Sequence, residues 1–196
     1  MIFRRGAAAA AIVLILGSAS ALAQSRIQFV EYSAKFLCGV VEEKGPGAAP
    51  VRPGIYETSI NIHDPQLPLS PLPSVTFVKK VVLAPREGEE PVRPSGFRRD
   101  VLQADFAEHV DCKVIRSMLG PAGGAAFVEG YVVLIVLPSP ITVPHELDVV
   151  GVYTVTNQQG QSIALEMLPI APRVLPFPVA AGAKLRDKML EESKKE

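Results

Sequence analysis

Residues 27–41, IQFVEYSAKFLCGVV, carry the pattern that decides the fold: Val30, Tyr32, Ala34, Phe36, Cys38 and Val40 share one parity, while Glu31, Ser33 and Lys35 occupy the other. Successive side chains of an extended chain point to opposite faces, so a period of two predicts a half-buried β-strand with Cys38 directed inward. The run Glu42-Glu43-Lys44-Gly45-Pro46-Gly47, followed by Pro50 and Pro53, cannot extend that ladder and predicts a loop. The alternation resumes over residues 54–63, with Tyr56, Thr58, Ile60 and Ile62 on one face and Glu57, Ser59, Asn61 and His63 on the other. Asp64-Pro65 closes that second strand as a turn.

Outward from there the same grammar repeats. Residues 66–73 are proline-rich and predict an extended connection, residues 74–84 (SVTFVKKVVLA) are dense in β-branched side chains and predict a strand, and residues 85–96 read as an exposed charged loop. Residues 100–112 read as one further strand in which Phe106, Val110 and Cys112 share a parity that brings Cys112 toward Cys38. Val114, Ile115, Met118 and Leu119 then take helical spacing, and Gly120 supplies a C-terminal stop, so one short helix follows Cys112. Residues 125–137 (AAFVEGYVVLIVL) are almost continuously apolar but fall short of the ~20 residues of a membrane span. They predict a strand buried on both faces. Residues 147–156 and 161–168 flank Asn157-Gln158-Gln159-Gly160 and predict a hairpin, with Gly160 free to take positive φ. Short strands punctuated by Gly and Pro, with no long helix, predict an all-β fold, an antiparallel β-sandwich of immunoglobulin-like type, with a partly closed β-barrel as the alternative.

The chain's first 23 residues stand apart. Arg4 and Arg5 precede an apolar run over residues 7–16 that ends in Ala21-Leu22-Ala23, the order of a secretory signal peptide with cleavage between Ala23 and Gln24. Gly17, Ser18 and Ser20 interrupt the run before it could serve as an anchor, and the arginine pair lacks the flanking residues of a twin-arginine signal, so the general secretion route and a periplasmic or secreted destination are expected. Removing the signal takes away two arginines and no acid, which turns 20 Lys+Arg against 20 Asp+Glu into 18 against 20, a formal charge of −2. Such a balance recruits neither nucleic acid nor anionic lipid by bulk attraction, and no stable membrane span is expected after cleavage. The two cysteines, Cys38 and Cys112, form an even count in an exported chain and lack Cys-x-x-Cys spacing, so they are expected to form a structural disulfide. Residues 24–169 read as one domain, and residues 170–196 as a proline-rich strap with a charged tail of weak helical spacing, more in keeping with a frayed end than with a docking helix.

Several strings then become recognisable together. Tyr32-Ser33-Ala34-Lys35-Phe36-Leu37-Cys38-Gly39, the segment Pro53-Gly54-Ile55-Tyr56-Glu57-Thr58-Ser59-Ile60-Asn61-Ile62-His63-Asp64-Pro65, Val110-Asp111-Cys112, Phe127-Val128-Glu129-Gly130-Tyr131-Val132-Val133 and residues 147–154 resemble the pattern of an uncharacterised family of exported prokaryotic proteins. The resemblance spans most of residues 32–165, implies one compact β-rich domain, and carries Asn where Asp64 stands here. It implies no catalytic residue and no cofactor.

Candidate chemistry rests on three histidines, His63, His109 and His145, each beside an acid: Asp64, Glu108 with Asp111, and Glu146. Convergence of their loops would permit a metal site of imidazoles and a carboxylate, with His63, Asp64, His109 and His145 as the candidates, although no two histidines have helical ligand spacing. The bland alternative is that Asn61 and His63 lie on a polar strand face and hydrogen-bond the Asp64-Pro65 turn. No serine has a nucleophile elbow, and Gly123-Gly124 lacks a phosphate-loop lysine and reads as a flexible turn. Without Trp, a sugar-stacking platform is poorly supplied. These readings favour a non-enzymatic binding or assembly module whose partner is an envelope or extracellular protein or a second copy of itself; the competing class is a metal-dependent enzyme or metal-binding protein of the envelope. If residues 127–137 or 149–155 lie at a sheet edge, strand addition is the expected mode of association.

Overall fold

A computed structural model of the 196-residue chain describes residues 26–42, 51–66, 74–85, 88, 90–138, 145–157, 159 and 161–194. The segment expected to be a signal peptide, with its expected cleavage site, most of the first loop, the connection over 67–73, Glu89 and Gly160 lie outside the described residues. Among the described residues nine strands and two helices follow in the order β1 Arg26–Val41, β2 Gly54–His63, β3 Ser74–Leu83, β4 Arg98–Gln103, β5 Ala107–Asp111, α1 Cys112–Leu119, β6 Phe127–Val136, β7 Asp148–Thr156, β8 Ser162–Pro169, β9 Arg173–Pro178 and α2 Val179–Glu192, with a 3-10 turn at Gly120–Gly124.

All strand pairs are antiparallel. The hydrogen-bonded path runs β4-β3-β6-β1-β2-β7-β8, with β9 also beside β1 and β5 also beside β2. It folds over at one place. β1 and β2 share only the registers Gly39↔Tyr56, Val40↔Ile55 and Val41↔Gly54, after which their inward faces oppose each other across one apolar core. That core holds Tyr32, Ala34 and Phe36 of β1, Ile60 and Ile62 of β2, Phe77 and Val81 of β3, Val132 and Leu134 of β6, and Val149 of β7. The result is a β-sandwich, as the alternation of residues 27–41 and 54–63 predicts. One layer reads β4-β3-β6-β1 and the other β2-β7-β8. With β1, β2, β3, β6, β7 and β8 as strands B to G, this strand order corresponds to the D-E-B and C-F-G orders of an immunoglobulin-like sandwich. β9 pairs Arg26–Glu31 of β1, where strand A would lie.

The corner between layers is built by a few local choices. Gly39 has φ 117, a conformation that costs glycine little and other residues much. It shifts the alternation by one, so that Val41 is buried while Val40, expected inward, is 39% exposed. The Thr58 hydroxyl accepts from Leu37 N–H and donates to Leu37 C=O, each at 3.0 Å, which ties β2 to β1 across the fold. Cys38 and Cys112 are disulfide-bonded with Cα atoms 5.5 Å apart. The Arg116 guanidinium donates to the carbonyls of Cys38 (2.8 Å), Ala125 (2.6 Å), Ala126 (3.2 Å) and Gly123. A Cβ at Gly39 would lie 1.9 Å from the Ala126 carbonyl oxygen, and Gly39→Ala is therefore expected to destabilise the fold by about 2 kcal/mol in urea unfolding, through strain and overlap together.

The helix predicted after Cys112 is α1, capped by the Asp111 side chain, which accepts from Val114 N–H at 2.8 Å, and closed at Gly120 with φ 59. Three expectations change. Residues 100–112 are two strands, not one: the chain turns at Asp105, with φ 64, leaving Phe106 58% exposed and Cys112 as the first helical residue. Gly123 and Gly124 belong to the 3-10 turn. Residues 173–192 pack onto the sandwich instead of fraying: Met189 of α2 joins Phe29, Val78, Ile135 and Leu137 in a second core on the outer face of the β1 layer. Phe29 lies on the opposite parity to Val30 and Tyr32, which is why a single inward face on β1 did not account for it. Among the described residues no helix is long and apolar enough to cross a membrane.

Candidate functional site

Two buried polar clusters sit between the layers. The first lies where β2 ends. Asp64, fully buried, accepts at Oδ1 from His145 Nε2 at 3.0 Å and from the Gln66 backbone N–H at 3.2 Å. His145 Nδ1 lies 3.3 Å from Gln66 Nε2. With the Gln66 amide donating, Nδ1 accepts and Nε2–H donates to Asp64, so both ring nitrogens are engaged. The backbone of Asp64 is held as well, donating to Phe106 C=O at 3.0 Å and accepting from Asp105 N–H at 2.9 Å. Beside this cluster the Tyr32 hydroxyl donates to Leu147 C=O at 2.9 Å and accepts from Leu147 N–H at 2.6 Å.

Burial raises the Tyr32 phenol above its ordinary 10.0, outweighing the bond to the Leu147 backbone that lowers it; Glu146 and Asp148 add repulsion in the same upward direction. Burial raises Tyr56 and Tyr153 too. An acid whose folded pKa exceeds its unfolded one contributes stability that is complete below the unfolded value and is lost as pH climbs through the folded one. Thermal melts above about pH 10 are therefore expected to fall with rising pH. Tyr32→Phe should make that alkaline slope shallower while lowering stability at neutral pH, because Leu147 loses both partners.

The structure does not bring the three histidines together. His63 is on the outer face of β2, 40% exposed, with Nε2 3.5 Å from Asp105 Oδ1 and Nδ1 3.5 Å from Asp148 Oδ2. His109 is exposed on β5, in register with Asn61. His145 is inside with Asp64. His63 has its nitrogens directed to carboxylates on opposite sides of the ring, so that set does not focus on one point. Among the described residues no group of three or more His, Cys, Asp or Glu is placed to hold a metal ion. The Asp64-Pro65 turn is pinned by Asp64 itself through Gln66, while Asn61 Oδ1 accepts from Ser59 Oγ at 3.3 Å.

The second cluster went unnoticed in the sequence. Lys79 shares the inward parity of Val75, Phe77 and Val81 and is 5% exposed. Its Nζ lies 2.7 Å from Asp100 Oδ2 of β4 and 3.0 Å from Glu108 Oε1 of β5, so one cation joins the two layers near their open side. A charged residue on the core parity of an apolar strand was the available signal.

The outer faces differ. α2 covers part of the β1 layer, whereas the β2-β7 face carries an open hollow of about 300 Å³ lined by Glu57, Ser59, Asp111, Lys113, Val152 and Thr154. Neither β6 nor β7 is an edge strand: β6 lies between β1 and β3, and β7 between β2 and β8. The edge falls to β8, where Leu165, Met167 and Leu168 are 64%, 66% and 42% exposed. Comparisons with protein-family models, with curated proteins and with solved structures found no match.

Proposed function

We propose that this chain is an exported, non-enzymatic module that works by associating with a protein of the periplasm or extracellular space through the edge strand β8. The observation that carries the reading is β8 itself. Among the described residues it pairs β7 on one side only, and every residue from Ala164 to Pro169 is exposed. A strand with both faces and one edge free is a template for a further strand. Export is supported by the signal-like first 23 residues and by a disulfide, which persists in oxidising compartments. Membership in the exported prokaryotic family whose pattern residues 32–165 resemble is part of the same proposal.

Photocrosslinking in the envelope of the expressing cell tests it. A photoactivatable residue at Met167 is expected to give a protein adduct, and the same residue at Val101, exposed on the opposite edge strand β4, is not. Equal labelling from both positions, or none from Met167, would sink the reading.

A further inference from the structure

We propose that residues 173–192 form a strap that opens as a unit while the sandwich stays folded, and that the apolar floor it uncovers on β1, β3 and β6 takes an extended apolar segment of a partner protein in its place. This surface belongs to the other layer from β8 and does not depend on it.

What the strap covers is better buried than the strap itself. Phe29, Val78, Ile135 and Leu137 are 1%, 0%, 7% and 8% exposed, whereas no residue of β9 is buried and α2 buries only Gly182 and Met189. Val78 and Ile135 are ladder partners, and β3 and β6 are each paired on both sides, so the floor keeps its shape without the strap. The strap's own supports are local. α2 begins after Pro178 with no side-chain cap, carries Gly182 in its interior, and forms the ion pairs Arg186–Asp187 and Lys188–Glu192 within itself. An interior glycine weakens a helix, and a helix of this length does not persist in water without packing. Among the described residues, residues 26–29 pair with β9 alone, so that end of β1 loosens with the strap. Segments with few buried apolar side chains open at a free energy below that of global unfolding.

The strap also shows which chemistry the floor accepts. Across the ladder Leu175 faces Phe29 and Phe177 faces Ile27, and the Phe29 and Phe177 rings meet edge to face with centroids 5.5 Å apart. Met189 then joins Phe29, Val78, Ile135 and Leu137. A Cβ at Gly182 would come within 2.9 Å of Ile27 Cβ, so α2 lies against β1 through its backbone, and a larger side chain there levers it off. A partner segment with apolar residues at alternate positions makes the same contacts while adding main-chain hydrogen bonds to residues 26–31, which is strand addition. Tethered in cis, the strap competes at high effective concentration, which closes the floor to weak ligands and leaves it to a segment that matches it better.

Hydrogen exchange of the full chain, read by mass spectrometry, should find the amides of residues 173–192 exchanging at least about a hundredfold faster than those of β6, with little dependence on low urea. The double variant Phe177→Ser with Gly182→Leu should lose protection over residues 173–192 and keep it in β2, β6 and β7. A fluorescein-labelled peptide of residues 173–192 should then bind that variant at least about tenfold more tightly than the wild-type chain by fluorescence anisotropy, and a scrambled peptide should bind neither. Exchange of the strap in step with β6 overturns the proposal, as does a double variant that keeps the strap protected or loses protection in β6. A released strap whose floor binds no peptide, equal binding to both chains, or binding of the scrambled sequence overturns it too.

Discussion

Replacing Cys38 and Cys112 together by alanine is expected to lower the free energy of unfolding by about 4 kcal/mol, read as a drop in the urea midpoint with a steeper slope, because the unlinked unfolded chain exposes more surface. The bridge joins residues separated by 74 positions, and in the chain-entropy model a loop of that length removes roughly that much freedom from the unfolded ensemble. Its place in the fold adds a second effect. Cys38 is fully buried at the end of β1, and Cys112 Sγ accepts from Thr58 N–H at 3.2 Å, so the bond closes the corner at which one layer folds onto the other. Domains of this size are stable by about 5–15 kcal/mol in total, and the double variant should therefore remain folded at 25 °C but melt at a much lower temperature. A loss under about 1 kcal/mol would mean that Arg116 and Thr58 hold the corner unaided, and the chain-entropy account would be wrong for this protein.

Where burial follows strict alternation, the residues announce the structure. Tyr32, Ala34, Phe36, Cys38, Ile60 and Ile62 are all fully buried, because a period of two admits one assignment of faces over strands this long. Signals fail where one residue resets the phase. Gly39 turned Val40 outward, and Asp105 divided residues 100–112 into two strands of different layers; both depend on a positive φ that a glycine permits but does not require, and that an aspartate adopts only in context. The C-terminal helix was obscured for a different reason. Its burial comes from Met189 against Phe29 and Ile135, and no pattern within residues 179–192 names a partner so far away in sequence. Of the candidate site residues, the sequence placed the acids beside the histidines but not their direction: His63, the last residue of β2, faces outward, and Asp64, the next residue, enters the core.

Lys79 provides the second large effect. Lys79→Ala is expected to destabilise the protein by about 3 kcal/mol, since removing one member of a buried ion cluster leaves its partners without compensation. Asp100 and Glu108 keep 24% and 27% of their side-chain exposure, which lets water moderate their repulsion and holds the figure at the lower end of that range. Lys79→Met should cost less than Lys79→Ala because the thioether side chain fills most of the vacated volume, yet it leaves the same two carboxylates facing each other. The decisive variant is therefore Lys79→Met combined with Asp100→Asn and Glu108→Gln, which removes every charge while keeping the shapes. If the cluster serves to set how the two layers meet, the triple variant should recover most of the lost stability, as buried ion clusters replaced by apolar side chains of similar volume commonly do. If the triple variant is as unstable as Lys79→Ala, removal of the carboxylate charges gives no relief, and the lysine side chain itself is what the core requires.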